Sequence, residues 1–516
     1  MTPPSPTPRP KLRQSESPQA RFSLALALSI GALAVFLRAY FYAVDRSLWL
    51  DEAMLATNIV HRSLRGLMLP LEYHQGAPLG FLFLVKAISD VLGTRDLVLR
   101  LVPFVSALAA VPLMWLVAQE FVTGIGPLAA LALLAVNDRL IYYASEFKQY
   151  STDALVTLAL LALFLKCLGK ERRAAAFVAF GLGGALAFWL SHPSLFVAGG
   201  LALALGLALA AERDWRALGW LAAAGLVWAA DLALLYVVSL RQLEADASLL
   251  SYWAGAYPPW PPWLHGDWYA GALAAALNNP LGLPASALSA GLLLVGGASL
   301  ARRRWPLLAA ALAPLLLALA ASSLQKYPFA ERLLLFAVPL ALLVLAEAVE
   351  RLYQLARRLS APAGWLAAAA LGAYLIGPPA LLAGRLLKTP PRGEDIKPVM
   401  AYLDQQRRPG DAIYVYYGAL PAFEYYAPFY GIGRGQFVPG NDNETDPNQY
   451  QIDLGGLAGQ PRVWIVFSHI CPNCAVNEEA EYVADLDQMG VRLAEARAEA
   501  ASAYLYDLRP PASKSH

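Results

Sequence analysis

The chain has 516 residues, 58% hydrophobic and only 15% charged, with a mean hydropathy of +0.45, whereas a soluble domain carries about 25% charged residues; a soluble globular enzyme is excluded. Its 13 Trp, 24 Tyr and 19 Phe stand among long Leu/Ala runs rather than in polar tracts, which excludes a disordered or fibrous chain. Lys and Arg number 40 against 38 Asp and Glu, which argues against a nucleic-acid partner, and three cysteines cannot build a disulfide framework.

Residues 1–21 are rich in Pro and Ser and carry Arg9, Lys11, Arg13 and Arg21. They read as a disordered cytoplasmic tail. The apolar run that follows, 22–42, is too long for a secretory signal and ends in Arg38 and aromatics instead of a small-residue cleavage site, so it reads as an uncleaved first span. Ten further stretches are long enough to cross a hydrocarbon core of about 30 Å: 101–122, 126–143, 154–168, 174–190, 195–210, 218–240, 284–300, 306–322, 333–349 and 364–386. Segment 79–92 is apolar but short, and Lys86 interrupts it.

Loop charge decides how that short segment is read, because Lys and Arg concentrate in short cytoplasmic loops. If 79–92 lies on the outer surface, the short inner loops hold Lys170, Arg172, Arg173, Arg213, Arg216, Arg302, Arg303, Arg304, Arg351, Arg357 and Arg358. The short outer loops then hold only Lys148, Arg241, Lys326 and Arg332. If the segment spans, every later loop changes sides and the bias inverts. A surface helix is therefore expected, with Leu79, Leu82, Phe83, Lys86 and Ala87 recurring at helical spacing and the lysine snorkelling.

This parity places the loop 45–100, and everything after about residue 388, outside. From 388 to 510 the composition becomes ordinary, with strand-like runs at 411–417, 462–468 and 503–508 and helical patterns at 394–406 and 478–489. A small extracytoplasmic α/β domain with its own core is expected there, ending in a short tail, 511–516.

Strongly polar residues are costly in so apolar a chain, and most of those that do not anchor loops fall on the outer face. Asp45, Asp51 and Glu52 follow the first span. Tyr73, His74 and Gln75 lie further along the same loop, Glu146, Lys148, Gln149, Tyr150 and Asp153 join the third and fourth spans, His192 joins the fifth and sixth, and Lys326, Tyr327, Glu331 and Arg332 join the ninth and tenth. Each also has a structural reading: a solvated flank for the acids, a helix end before Pro193 for His192, interfacial anchors for Lys326 and Arg332. Asp231, in mid-span, has no loop to explain it and reads either as a site residue or as a paired core acid.

Together they fit one chemistry. Cations at a membrane-face site can neutralise a lipid-linked phosphate and stabilise it as it leaves, and a carboxylate opposite can take the proton of an acceptor hydroxyl. Asp51 is the expected base, its pKa raised by Leu48, Trp49 and Leu50. Glu52, some 100° around the helix axis, is expected to orient the acceptor or bind a metal. Lys148, Lys326 and Arg332 are expected to hold the phosphate.

The segments SLWLDEAMLATNIVHRS (47–63), LEYHQGAPLGFLFLVKAISDVLGTRDLVLRLVP (71–103), YYASEFKQYSTDAL (142–155) and KYPFAERLLLFAVP (326–339) resemble, in order and topology, the GT-C glycosyltransferases. These polytopic enzymes include protein O-mannosyltransferases and the aminoarabinose transferase of lipid A; the resemblance is greatest to bacterial proteins described as dolichyl-phosphate-mannose-protein-mannosyltransferase-like. The resemblance implies a polytopic α-helical fold of about eleven spans with outer-surface helices, covering 22–387. It also implies an inverting sugar transfer from a polyprenyl-phosphate donor to an extracytoplasmic lipid, glycan or protein, in a bacterial inner membrane. It places the catalytic acid at Asp51 or Glu52 and further site residues at Glu146, Lys148 and Arg332, with Lys148 standing where many relatives have Arg. Tyr150, Lys326, His74 and His192 complete the expected substrate-binding set. Some relatives bind a divalent metal near the site; no ligand spacing here demands one, and His74 and His192 are the only candidates.

In the tail, His469-Ile470-Cys471-Pro472-Asn473-Cys474 has a spacing that suits zinc, a redox pair or a plain disulfide, and a disulfide is expected in an oxidising compartment. Two other functions fit the composition. A transporter or flippase of a lipid-linked saccharide would place its polar residues at mid-membrane between repeats, and a scaffold for an envelope complex would leave five polar outer loops unexplained.

Overall fold

The computed structural model describes residues 18–244, 246–442, 448–470 and 477–510. The expected Cys471–Cys474 pair and most of the N-terminal tail lie outside the described residues.

The membrane part is a bundle of apolar helices. Among the described residues seven helices are long and apolar enough to cross a membrane, and two bent pairs, Gly126–Val136 with Asp138–Ser145 and Ala361–Leu375 with Gly377–Lys388, also qualify. The helix Ala174–Leu190 is equally apolar and one residue short of that length class. Ala287–Ser323 is two arms rather than one rod: Arg304 leaves helical geometry at φ −152°, ψ 64°. A β-carbon at Gly297 would sit 3.6 Å from Leu308 Cδ1, although eleven residues of a continuous helix would rise about 16 Å. Pro306 restrains the residue before it from helical geometry, and Arg302, Arg303 and Arg304 occupy the turn. Counting both arms and the shorter helix brings the crossings to the expected eleven.

Leu79–Leu92 is a 14-residue helix, shorter than the helices long and apolar enough to cross a membrane. Its buried stripe runs through Leu82, Val85 and Ser89, with Phe81 beside it, so the predicted stripe ending at Ala87 is displaced around the axis. Lys86 pairs with Asp90 at 2.8 Å. At Gly80 the backbone touches Trp189, where a side chain would collide with the Trp189 carbonyl.

After the last span the chain forms a five-stranded sheet in the order β2-β1-β3-β5-β4. Strands β1 (Ala412–Val415), β2 (Val438–Pro439) and β3 (Val463–Ser468) run parallel, and β5 (Ala501–Asp507) and β4 (Val491–Ala498) add antiparallel pairs. Every residue of β3 is buried, as a central strand covered on both faces requires. Helices Ile396–Gln406 and Glu478–Met489 occur where the pattern placed them. Strand β4 was not anticipated: VRLAEARA consists largely of good helix formers, and pairing along β5 at the sheet edge overrides that propensity.

The sheet does not close on a core of its own. Ile396, Met400, Val415, Phe423 and Phe467 pack in one apolar cluster with Leu48, Leu55, Phe81, Val85 and Phe147 of the outer loops, while the membrane helices form a second, larger cluster. The sheet and the acidic loop after the first span are therefore one folded body.

Candidate active site

The helix Leu50–His61 opens with Asp51 and Glu52 in its first turn, where carboxylates suit the positive end of the helix dipole. The two acids diverge, as their angular separation demands. Glu52 turns inward and is fully buried. Arg100 grips it at two points, Nε to Oε1 at 2.8 Å and Nη2 to Oε2 at 2.7 Å; Arg46 lies 3.1 Å away, and the Phe147 amide donates to Oε1 at 2.5 Å. Burial alone would raise its pKa, but Arg100 and Arg46 hold the carboxyl below the ordinary range. Every oxygen of Glu52 is engaged by protein, so it fastens the loop after the first span to the segment after the third. The expectation that it orients an acceptor or binds a metal is corrected accordingly.

Asp51 turns the other way, toward two cations. Lys148 Nζ donates to its Oδ1 at 3.1 Å and Arg332 Nη2 lies 3.0 Å from its Oδ2. Lys148 also donates to Gln75 Oε1 at 2.6 Å. The side chain of Asp51 is 18% exposed, that of Lys148 4% and that of Arg332 13%, so the group is accessible chiefly through the acid and the guanidinium. Burial raises the Asp51 carboxyl, but Lys148 and Arg332 outweigh it and leave the pKa lowered. The expected rise is thus reversed in the resting structure, because two cations stand where the sequence showed only Leu48, Trp49 and Leu50.

Arg332 is held in an aromatic cage. The rings of Trp49, Tyr150 and Trp253 lie 5.7, 5.9 and 5.5 Å from its guanidinium carbon, within cation–π range. Behind it sits Glu146, buried, with Arg46 at 3.9 Å and neither carboxyl oxygen completing a hydrogen bond. Burial, and next the charge of Glu52, push its pKa up to about 7.

The structure therefore gathers Asp51, Lys148, Arg332, Tyr150 and Glu146, with Glu52 one layer behind. It does not gather the rest of the expected set. Lys326 is exposed and pairs with Glu244, an acid at the end of the seventh span, Trp215–Glu244. His74, in a left-handed conformation at φ 51°, points its Nδ1 at Asp246, 2.9 Å away; its neighbour Gln75 reaches Lys148 instead. His192 occupies the tight turn before Ser194–Ala211, its Nε2 buried without a partner, and burial pushes its pKa down to about 4. Asp231 accepts from Trp189 Nε1 at 2.9 Å, which gives that mid-span acid a partner.

Arg46, Arg100 and Trp253 were not foreseen. The first two looked like the cationic flanks that bound any span, and only their meeting on one carboxylate distinguishes them. Trp253 stands in 247–266, a stretch without Asp, Glu, Lys or Arg between the seventh and eighth spans, which is the one signal that could have drawn notice.

The residues do not fit a divalent cation. Among the described residues no three His, Cys, Asp or Glu side chains converge, and each of the three acids of the site faces cations, Lys148 and Arg332 at Asp51, Arg100 and Arg46 at Glu52, and Arg46 at Glu146, whose positive charge opposes a metal.

No family model and no curated protein matches the sequence. Solved structures do. ArnT from Cupriavidus metallidurans in the apo state superimposes with a TM-score of 0.54 at 15% identity, over 94% of this chain and 97% of that one. The same protein bound to undecaprenyl phosphate gives 0.52 at 14% identity, over 94% and 98%. The oligosaccharyltransferase of Archaeoglobus fulgidus in its apo form gives 0.50 at 14%, over 86% and 69%. The chain has a GT-C fold. At these identities the likeness establishes the polytopic membrane architecture, and in this GT-C fold the likeness to ArnT runs through both the membrane bundle and the sheet.

Proposed function

We propose that this protein is an integral-membrane inverting glycosyltransferase that moves a hexosyl or pentosyl group from a polyprenyl-phosphate donor to an extracytoplasmic acceptor. The observation that carries this reading is the bridge of Asp51 to both Lys148 and Arg332. A carboxylate sharing two cations, partly open to solvent at the outer ends of the spans, is a resting state that an arriving phosphate can exchange into. The phosphate takes Lys148 and Arg332, and Asp51 is left free of its counter-charges and more basic.

The acceptor O–H then gives its proton to Asp51 while its oxygen attacks the anomeric carbon. The bond from that carbon to the phosphate oxygen breaks, and the polyprenyl phosphate leaves with the electron pair, its charge held by the guanidinium and ammonium groups. Attack opposite the leaving group inverts the anomeric centre. ArnT of C. metallidurans has been solved with undecaprenyl phosphate bound, which supports a carrier of that class. The basic turns at 170–173 and 302–304 support a cytoplasmic side for those loops, and with it an acidic loop and sheet that face the outside of an inner membrane. Donor and acceptor both enter from that side.

Purified protein incubated with a panel of polyprenyl-phosphate sugars and envelope lipids, glycans or proteins tests the reading. Release of polyprenyl phosphate coupled to glycosylation of one acceptor supports it. Translocation of an intact lipid-linked saccharide in proteoliposomes, without bond cleavage, refutes it.

A further inference from the structure

The helix that presents Asp51 begins without an N-cap side-chain hydrogen bond, and its one internal cap is Glu52 Oε2 accepting from the Trp49 amide at a long 3.5 Å. The sequence Leu48-Trp49-Leu50 offers no Ser, Thr, Asp or Asn at the start, and Trp49 supplies no side-chain acceptor. The first amides of a helix need acceptors from outside it. The Leu50 amide finds one 344 residues further along the chain: it donates to Glu394 Oε2 at 2.8 Å. The other oxygen of Glu394 is 2.6 Å from His469 Nδ1, at the end of β3.

The segment leading into the helix, residues 45–49, is held by the same body. Ser47 Oγ donates to Asp395 at 2.7 Å, and the Leu48 amide donates to Tyr426 Oη at 2.8 Å. Lys397 Nζ donates to the Asp45 carbonyl at 2.5 Å. Tyr426 and Lys397 in turn meet the buried Asp96 at 2.5 and 3.0 Å. Every residue in this set that comes from the later part of the chain lies between 394 and 469, around the sheet.

Resting on the glycosyltransferase reading, we propose that Glu394 is a positioning residue for the transfer: it caps the acidic helix from the outer domain and so fixes the direction in which Asp51 faces Lys148 and Arg332. The sheet is thereby part of the catalytic machinery rather than an appended module. Loss of an N-cap side chain weakens a helix start by about 1 kcal/mol, which corresponds to about fivefold to tenfold in the population of the correctly wound first turn.

The test compares Glu394→Ala with Glu394→Gln, which keeps an acceptor oxygen, in the full-length protein in detergent. Hydrogen exchange is followed across residues 46–60, alongside undecaprenyl-phosphate binding and sugar transfer. Glu394→Ala is expected to speed exchange at the start of the acidic helix by about fivefold to tenfold and to lower kcat by a similar factor, with undecaprenyl-phosphate affinity unchanged. The acid limb of its pH profile should also move upward, because Asp51 loses its fixed alignment with Lys148 and Arg332, the cations facing it beside Glu146 and Tyr150. Glu394→Gln should restore all three.

Wild-type exchange and kcat in Glu394→Ala overturn the proposal. So does a general loss of thermal stability with unmoved pH limb that Glu394→Gln fails to rescue. If Asp51→Asn leaves transfer intact, the glycosyltransferase reading itself fails; the exchange measurement still reports on the cap.

Discussion

Glu52 and Arg100, 48 residues apart, meet in a two-point ion pair at 2.7 and 2.8 Å in which both side chains are withdrawn from water. The adjacent Asp51 makes its ion pairs with Lys148 and Arg332 instead. About 100° of helix thus separates a fully buried carboxylate from one that stays partly exposed. Removing one partner of a buried pair leaves an uncompensated charge and costs about 3–5 kcal/mol. Arg100→Ala and Glu52→Ala should each lower the unfolding temperature in detergent sharply, and Arg100→Lys should rescue only in part because an ammonium cannot make both contacts. Wild-type melting of Glu52→Ala would show that the pair is not a fastening.

Glu146 predicts a pH dependence of stability. Its pKa is raised to about 7, whereas an unfolded Glu titrates near 4.3. Between those values the folded state keeps a proton that the unfolded chain releases, so stability falls as pH rises through that window. Glu146→Gln stays neutral throughout. Its melting temperature should match the wild type near pH 4 and exceed it at pH 8; parallel melting at both values would remove Glu146 as the titrating group.

Arg332 differs from a lysine in the way its guanidinium lies among Trp49, Tyr150 and Trp253. Arg332→Ala should lower kcat/KM for the donor by a factor on the order of 10². Arg332→Lys should fall between, since it keeps charge but loses bidentate binding and ring stacking. Steady-state kinetics decide this, and equal activity of Arg332→Ala and wild type would take the residue out of the donor site. Lys326→Ala, by contrast, should leave donor KM unchanged, its partner being Glu244.

The orientation follows from loop charge and is testable without a substrate. Reporter fusions at Arg172 and Arg303 should report the cytoplasm and one at Pro461 the exterior. A cytoplasmic signal at Pro461 would invert the topology and place the acidic loop on the wrong face for an extracytoplasmic acceptor.

The spans were legible because each is a long apolar run whose length is set by the bilayer. The helix Leu79–Leu92 was legible because its apolar residues recur at helical spacing between Pro78 and Gly93. Asp51, Glu146, Lys148 and Arg332 stood out as polar residues in a chain that has few. What the sequence could not show was partnership. Lys326 and Arg332 are six residues apart with the same charge, and only the fold sends one to Glu244 and the other to Asp51. Likewise Leu48, Trp49 and Leu50 suggested an apolar setting that would raise Asp51, while the cations that lower it arrive from segments about 100 and 280 residues away. Strand β4 escaped notice because its composition favours helix and its partner strand lies beyond a turn.

The account stands most directly on Asp51→Asn, which preserves shape and hydrogen-bonding capacity and removes only the charge. Purified variant and wild type are compared for transfer from whichever polyprenyl-phosphate sugar supports turnover, and for binding of undecaprenyl phosphate. The account predicts a loss of turnover on the order of 10² to 10⁴ with undecaprenyl-phosphate binding retained or strengthened, since Lys148 and Arg332 are released from their counter-charge. Near-wild-type turnover in Asp51→Asn would contradict it.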